Sequence, residues 1–333
     1  MLRRLCLAAL VVVAAACGHD ATNPFATATQ PPSAGAVLLF ASGSWATATG
    51  EPRELFALNG DGSKVEQLTN CAQASTPCDF VQVAPSPDRN RLVALRTTPG
   101  AAAGANALYF MDLSRGVESL VFPNRRIASV DYSPSGSFIL YSAIVAQTSD
   151  EDLYYADPNG QNEQDLTSSL TFRERSPRVD PYGSTAVYEG IDESGVGRIY
   201  LFSRTALTSG PQAGAPLPDT PYVVGADADP VFSPDGASVA FRRLTGVGNG
   251  GLGTWDILTL KVDGVSTPQV VATGPLFRGA PDWGSKGLLF VETDAAAARS
   301  QLVLLSADGT GRTVLRTEDA GYRMASPRWL AGS

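Results

Sequence analysis

The chain has 333 residues, 44% hydrophobic and 17% charged, with 33 Gly, 23 Pro and no Gly-X-Y period. That is enough apolar side chain for a large core, too little charge for long solvated helices or coiled coil, and the wrong composition for collagen or wholesale disorder. A formal charge of −8 and a single histidine, His19, exclude a basic nucleic-acid footprint, any multi-histidine metal site and any mechanism needing an imidazole base in the body of the chain.

In chain order, the first element is an export signal. Arg3 and Arg4 precede an apolar run from Leu5 to Ala16, shorter than the ~20 residues that span a bilayer and in proportion with a secretory signal. The run ends Ala14-Ala15-Ala16 before Cys17. This resembles the lipobox of bacterial lipoproteins, with Ala14 where Leu is commonest. The resemblance implies a signal peptide at 1–16 and an acylated Cys17 as mature N-terminus. Ordinary Ala-x-Ala cleavage, releasing a soluble protein, is the alternative, and the chain is exported in either case. Gly18 follows Cys17 with no aspartate at that position, which resembles outer-membrane sorting in diderm bacteria. The implied location is the cell envelope, lipid-anchored, at the outer membrane and facing the periplasm. Losing residues 1–16 removes two arginines and no acid, taking the formal charge from −8 to −10. Residues 17–35, rich in Ala, Thr, Pro and Ser and without periodicity, read as the lipidated Cys and a flexible tether.

Two further cysteines, Cys71 and Cys78, stand seven positions apart. In an oxidising compartment a local disulfide pinning one inter-strand loop is the natural reading, and a metal site would need more soft or imidazole ligands than this region carries.

From residue 36 onward one pattern recurs: a Pro, two residues, a Ser-Pro-Asp-Gly turn or variant, then an alternating apolar strand. The clearest copy is Pro230-Val-Phe-Ser-Pro-Asp-Gly-Ala-Ser-Val-Ala-Phe241. Others are Val83–Ala94, Val130–Tyr141, Pro177–Tyr188, Pro281–Phe290 and Pro327–Gly332. Their turn positions fall at Ser86, Ser133, Asp180, Ser233, Gly284 and Leu330, in steps of 47, 47, 53, 51 and 46 residues. A third strand opens at Glu54, Ala107, Asp152, Arg198, Asp256 and Gln301, and a fourth closes many units, as in Glu66–Thr69, Gln164–Thr167 and Thr313–Leu315. Four short strands per repeat, with no sustained 3.6-residue period, predict an all-β propeller whose blades bury their faces only against one another. The body starts on a second strand, Ala36–Phe40, and ends on a first strand, Ser326–Trp329. Pairing these N- and C-terminal strands completes a six-bladed ring of four-stranded antiparallel blades over 36–333 and removes the open edge.

The Ser-Pro-Asp-Gly turn, the following Ala-Phe strand and the Leu-Thr blade ending resemble the WD40-like (PD40) repeats of TolB-type β-propellers. The resemblance covers roughly residues 36–333 and is most specific at 227–241. The additional N-terminal α/β domain of that family is not expected from the tether that precedes the first strand. The resemblance implies a non-catalytic platform whose partner is another envelope protein, with the membrane reached through the lipid anchor, no nucleic acid, no cofactor, and a monomeric state.

The turn aspartates Asp61, Asp235, Asp263 and Asp308 lack the Asp-x-Asp-x-Asp-Gly spacing of a calcium loop, so they are expected to satisfy their own turns. Asp150-Glu-Asp152 is expected to be a solvated loop edge. The longer connections, such as 97–106, 191–197, 244–254 and 294–299, gather on one face, where binding usually resides. Around the channel mouth on that face, Arg126, Arg173 and Arg323 occupy equivalent positions seven residues before the turn, with Arg125, Arg175 and Arg278 beside them. Two readings stand. One is an anion site made by Arg126, Arg173, Arg175, Arg278 and Arg323. The other is internal pairing with Asp79, Glu174, Asp227 and Asp229. Carbohydrate or peptidoglycan-fragment binding, with Trp45 and Trp255 as stacking surfaces, is an alternative function, whereas Trp283 and Trp329 are expected in the core. A propeller hydrolase is disfavoured, because the body has no histidine and no hydrolase domain follows the closing strand.

Overall fold

The computed structural model describes residues 36–44, 53–71, 79–97, 106–144, 150–168, 173–203, 214–218, 226–248, 252–318 and 322–330. Cys17, Trp45 and Cys78 lie outside the described residues, as does the Arg323 side chain. The first blade holds β1 (Ala36–Ser44), β2 (Glu54–Asn59) and β3 (Glu66–Gln67). The second is β4 (Phe80–Pro85), β5 (Arg91–Thr97), β6 (Asn106–Asp112) and β7 (Val117–Leu120). The third is β8 (Arg126–Tyr132), β9 (Ile139–Ile144), β10 (Glu151–Ala156) and β11 (Gln164–Asp165). The fourth is β12 (Arg173–Val179), β13 (Thr185–Ile191), β14 (Gly197–Ser203) and β15 (Ala215–Pro216). The fifth is β16 (Asp227–Phe232), β17 (Ser238–Val247), β18 (Gly253–Lys261) and β19 (Gln269–Ala272). In the sixth the innermost strand is broken into β20 (Phe277–Arg278) and β21 (Asp282–Gly284), ahead of β22 (Gly287–Asp294), β23 (Arg299–Leu305) and β24 (Thr313–Glu318).

The last strand, β25 (Tyr322–Trp329), pairs antiparallel with β1, placing Trp329 opposite Leu38 and Tyr322 opposite Ser44. The first blade therefore takes its innermost strand from the far end of the chain, and the propeller closes as the repeat register anticipates. Apolar side chains lie between blades. Leu55 and Leu68 pack on Phe80 and Met111, and Leu108 packs with Ile127 and Tyr141. Leu153 meets Tyr188 and Phe202, while Val187 meets Phe241 and Leu258. Ile257 meets Phe290, and Leu289 meets Leu58 and Trp329. These six layers join each blade to the next and the sixth to the first, so second strands such as β5 and β22 are buried on both faces instead of alternating as the sequence pattern suggests.

The repeat residues each have a local task. In the turn, Gly236 has φ +68° and its N–H donates to the Ser233 carbonyl at 2.9 Å. The Ser233 hydroxyl accepts from Ser238 N–H at 2.9 Å and donates to Asp235. Where the repeat substitutes Asp180 for the serine, its carboxylate takes the same position, accepting from Thr185 N–H at 2.8 Å. Two fourth strands are shorter than the sequence suggests, β3 and β11 having two residues each, whereas β24 runs on to Glu318. The Leu-Thr ending continues the edge without a strand. Leu68 N–H donates to the Leu55 carbonyl, and the hydroxyls of Thr69 and Thr167 accept from Leu55 and Leu153 N–H at 2.9 Å.

The repeat proline marks a β-bulge in the innermost strand. Ser176, Asp229 and Ser326 each precede a proline, have φ of 48–52°, and sit where the register with the second strand shifts. Proline has no N–H to leave unpaired there. The left-handed residue sends its side chain to a neighbouring blade. Ser176 Oγ donates to Asp229 at 2.7 Å, Ser176 N–H donates to Ser129 Oγ at 2.8 Å, and Ser326 Oγ donates to the Val81 carbonyl at 2.8 Å.

Two residues before the turn, the same strands present Asp131, Arg178, Asp282 and Arg328 to the axis. All are buried or nearly so, and they alternate in sign. Arg178 binds Asp282 and lies 3.3 Å from Asp131, while Arg328 lies 3.7 and 3.6 Å from Asp131 and Asp282. The second oxygen of each carboxylate accepts a backbone N–H from the following blade: Val179 to Asp131 at 3.0 Å and Trp329 to Asp282 at 2.6 Å. Removing one member leaves buried charge uncompensated, which typically costs ~3–5 kcal/mol. Asp282→Ala should therefore lower the urea midpoint by several times more than Arg115→Ala, whose 3.7 Å pair with Asp112 has an arginine side chain 79% exposed and is worth under ~1 kcal/mol. Equal shifts for the two variants would refute the buried network as a determinant of stability.

Candidate functional site

The innermost strands begin, and the second strands end, on the long-loop face, so their termini form the rim of the channel. There a cavity of about 530 Å³ opens among Asn106, Ser129, Ile144, Glu151, Arg175, Ser176, Glu189, Asp229, Arg242 and Trp255. Four blades contribute, the second to the fifth. Its volume falls within the range of small-ligand sites.

Among the described lining residues the charges are matched with one left over. Arg175 binds the buried Glu151 of the third blade through Nε and Nη2. Arg242 donates to Asp229 at 2.5 Å and to the Arg278 carbonyl at 3.2 Å, with its guanidinium 4.0 Å from the Trp255 ring centre. Glu189 is directly cross-strand from Arg175, yet that guanidinium is directed to Glu151. Among the described residues no hydrogen bond or ion pair reaches the Glu189 carboxyl. Burial, and then the charge of Asp229, push it up to about 8 against the opposing pull of Arg242 and Arg175. Gly197 stands beside it, where a Cβ would come within 3.1 Å of its Oε1.

Of the sequence-derived arginines, Arg126 is exposed at the start of β8 and Arg173 is half-buried at the start of β12. Arg175 is committed to Glu151. Arg278 is buried and holds Glu292 at 2.9 Å and the carbonyls of Trp255 and Thr273 at 2.8 and 2.6 Å. The described side chains thus do not form a guanidinium ring open to an anion, because Arg278 is buried in internal bonds and Arg175 turns two of its nitrogens to Glu151. Pairing takes other partners than the sequence suggests: Asp79 binds Arg53, Asp227 binds Arg243 and Asp229 binds Arg242. The residues missed, Glu189 and Arg242, both stand nine positions after the turn reference, where the second and third blades have Leu95 and Ser142. A charge in the middle of an otherwise apolar second strand is the signal that marks them.

The turn aspartates serve their turns. Asp263 accepts from Ser266 Oγ at 2.6 Å and from the N–H groups of Val265 and Ser266, which hold its carboxyl down at about 2. Asp308 accepts from Thr310 in the same way. Among the described residues no three His, Cys, Asp or Glu side chains are grouped to hold a metal ion. Asp150-Glu-Asp152 is not a solvated edge, since Glu151 and Asp152 are buried. Trp329 is buried and Trp283 half-buried against the layer between the fifth and sixth blades. Cys71 is buried and disulfide-bonded.

No family model matches the sequence, and no curated protein matches it. Solved structures do. TolB from Acinetobacter baumannii superposes with a TM-score of 0.67 at 17% identity, over 88% of this chain, which spans 66% of that protein. A chain of Agrobacterium tumefaciens assigned as TolB gives 0.60 at 18% identity, over 89% of this chain and 99% of that one. A prolyl endopeptidase gives 0.51 at 11% identity, over 81% of this chain and 40% of that one. At these identities the likeness is one of fold: a TolB-like β-propeller.

The Glu189 carboxyl gives a pH signature. Between about 4.5 and about 8 the folded state holds a proton that the unfolded state has released, so stability falls as pH rises through that window, by at most about 1.4 kcal/mol per unit. Glu189→Gln should flatten the stability profile from pH 5 to pH 8 in urea titrations; an unchanged slope would place the titration elsewhere.

Proposed function

We propose that this protein is an exported, lipid-anchored, non-catalytic interaction platform of the cell envelope, presenting the long-loop face of a TolB-like propeller to a protein partner. The observation that carries the reading is the mouth cavity. It lies on the face where the longer connections gather, on a closed and rigid ring, and its acids and bases are largely locked in ion pairs, which suits recognition of charge and shape. The leader pattern before Cys17 supports export and anchoring, with Cys17 acylated and the tether of residues 17–35 giving the propeller reach. In the same compartment Cys71 pairs with Cys78.

The faces can be told apart by two exposed valines. Val247, 81% exposed, ends β17 on the long-loop face, and Val265, 82% exposed, lies in the turn after β18 on the opposite face. A photocrosslinking residue at 247, expressed in intact cells, should yield a discrete protein adduct that the same residue at 265 does not. A glycan adduct at 247 would replace this reading with carbohydrate or peptidoglycan-fragment binding, and equal adducts at both sites would remove the assignment of the face. Cys17→Ala should move the protein from the membrane to the soluble fraction. Retention in the membrane would sink the lipid anchor.

A further inference from the structure

We propose that the mouth cavity is a socket for one cationic side chain, a lysine ammonium or an arginine guanidinium carried by a protein partner, with Glu189 as its counter-ion. The inference rests on the interaction-platform reading and specifies what that face recognises.

The sign of the ligand follows from what each lining group already does. Arg175 spends two nitrogens on Glu151, and Arg242 spends Nε on Asp229, Nη1 on the Arg278 carbonyl and its face on Trp255. An incoming carboxylate or phosphate would find both guanidiniums engaged and would face three carboxyl groups. An incoming cation meets the one carboxyl without a partner. Among the described residues the lining supplies two positive and three acidic groups, so one added positive charge completes that set. Trp255 and Ile144 give apolar wall to a methylene stem, while Asn106, Ser129 and Ser176 offer oxygens to N–H donors. A charge buried among protein groups is stabilised when it is both paired and hydrogen-bonded, and this cavity offers both.

The groups facing Glu189 are Arg175 on β12, Glu151 on β10, Asp229 on β16 and Arg242 on β17. Unliganded, their balance keeps the carboxyl protonated at neutral pH. A cation binds the ionised form, so binding below pH 8 releases a proton and tightens as pH rises. Lysine and arginine remain charged throughout.

The probes are the amides of Nα-acetyl-arginine and Nα-acetyl-lysine, with acetyl-norleucine and acetyl-glutamate amides as neutral and acidic controls and glucosamine as a non-peptide amine. Binding is read by NMR at the Trp255 indole N–H and the Glu189 amide. The cationic amides should give saturable shifts and the controls none, with affinity rising about 25-fold from pH 6.5 to 8.5, as the ionised fraction of a group titrating near 8 dictates. Glu189→Gln should weaken binding at least 10-fold and abolish the pH dependence. Equal binding of the neutral amide, tighter binding of the acidic one, or a Glu189→Gln protein that binds as before would overturn the socket. Tighter binding of glucosamine than of either cationic amide would overturn the protein source of the cation. The wild-type pH profile alone tests the counter-ion if the variant fails to fold. Crosslinking from position 247 is independent of these small probes, so the socket can fail while the platform stands.

Discussion

Four charged side chains meeting near the axis set the terms for the rest of the molecule. Asp131, Arg178, Asp282 and Arg328 come from the third, fourth, sixth and first blades, and each carboxylate binds guanidiniums while also accepting a backbone N–H from the next blade. Such an arrangement is satisfied only when the ring is closed. Arg328 enters on β25, the strand that the first blade borrows from the chain's end. Strand exchange and charge closure are thus one event: leaving β25 undocked would strand two buried aspartates with one arginine. Buried ion pairs add little net stability over an apolar core, but they penalise wrong arrangements heavily. In this arrangement of blades every member of the network has partners of opposite charge.

The bulges carry that closure outward to the cavity. Ser176 and Asp229 are held left-handed before Pro177 and Pro230, and Ser176 links Ser129 of the third blade to Asp229 of the fifth. Asp229 in turn holds Arg242, which lies over Trp255. Among the described residues the cavity's floor and one wall are therefore held by hydrogen bonds that join blades. Arg278 extends the chain by tying the carbonyls of Trp255 and Thr273 to Glu292. A site supported in this way has its polar groups oriented before any ligand arrives.

Much of the fold was legible because each repeat residue has a local reason. The turn serine caps its own hairpin, the glycine takes positive φ, the threonine ends the blade edge, and the proline sits at a bulge. Such requirements act over a few residues and leave a visible spacing. The placement of the terminal strands followed from register alone. The site was less legible, because ion pairing is settled between blades about 50 residues apart. Reading Arg175 and Arg278 as ring members follows from their position in the repeat, but position does not reveal that Glu151 and Glu292 lie within reach. The apparent solvated edge at 150–152 misled for the same reason, since a run of acids is exposed only if no guanidinium from the next blade covers it. The axial network did leave a trace: Asp131, Arg178, Asp282 and Arg328 share one register position and alternate in sign in strands otherwise bound for the core.

Division of labour between blades explains why the cavity lies off the axis. Nine positions after the turn, where the second and third blades carry Leu95 and Ser142, the fourth and fifth carry Glu189 and Arg242. The repeat is thus charged at this level only on one side of the ring. The sixth and first blades instead supply Asp282, Arg328 and the buried Arg278, whose contacts close and brace the structure. Breaking the equivalence in adjacent blades, while keeping the closing contacts opposite, concentrates an unmatched charge in one place without weakening the ring that holds it there.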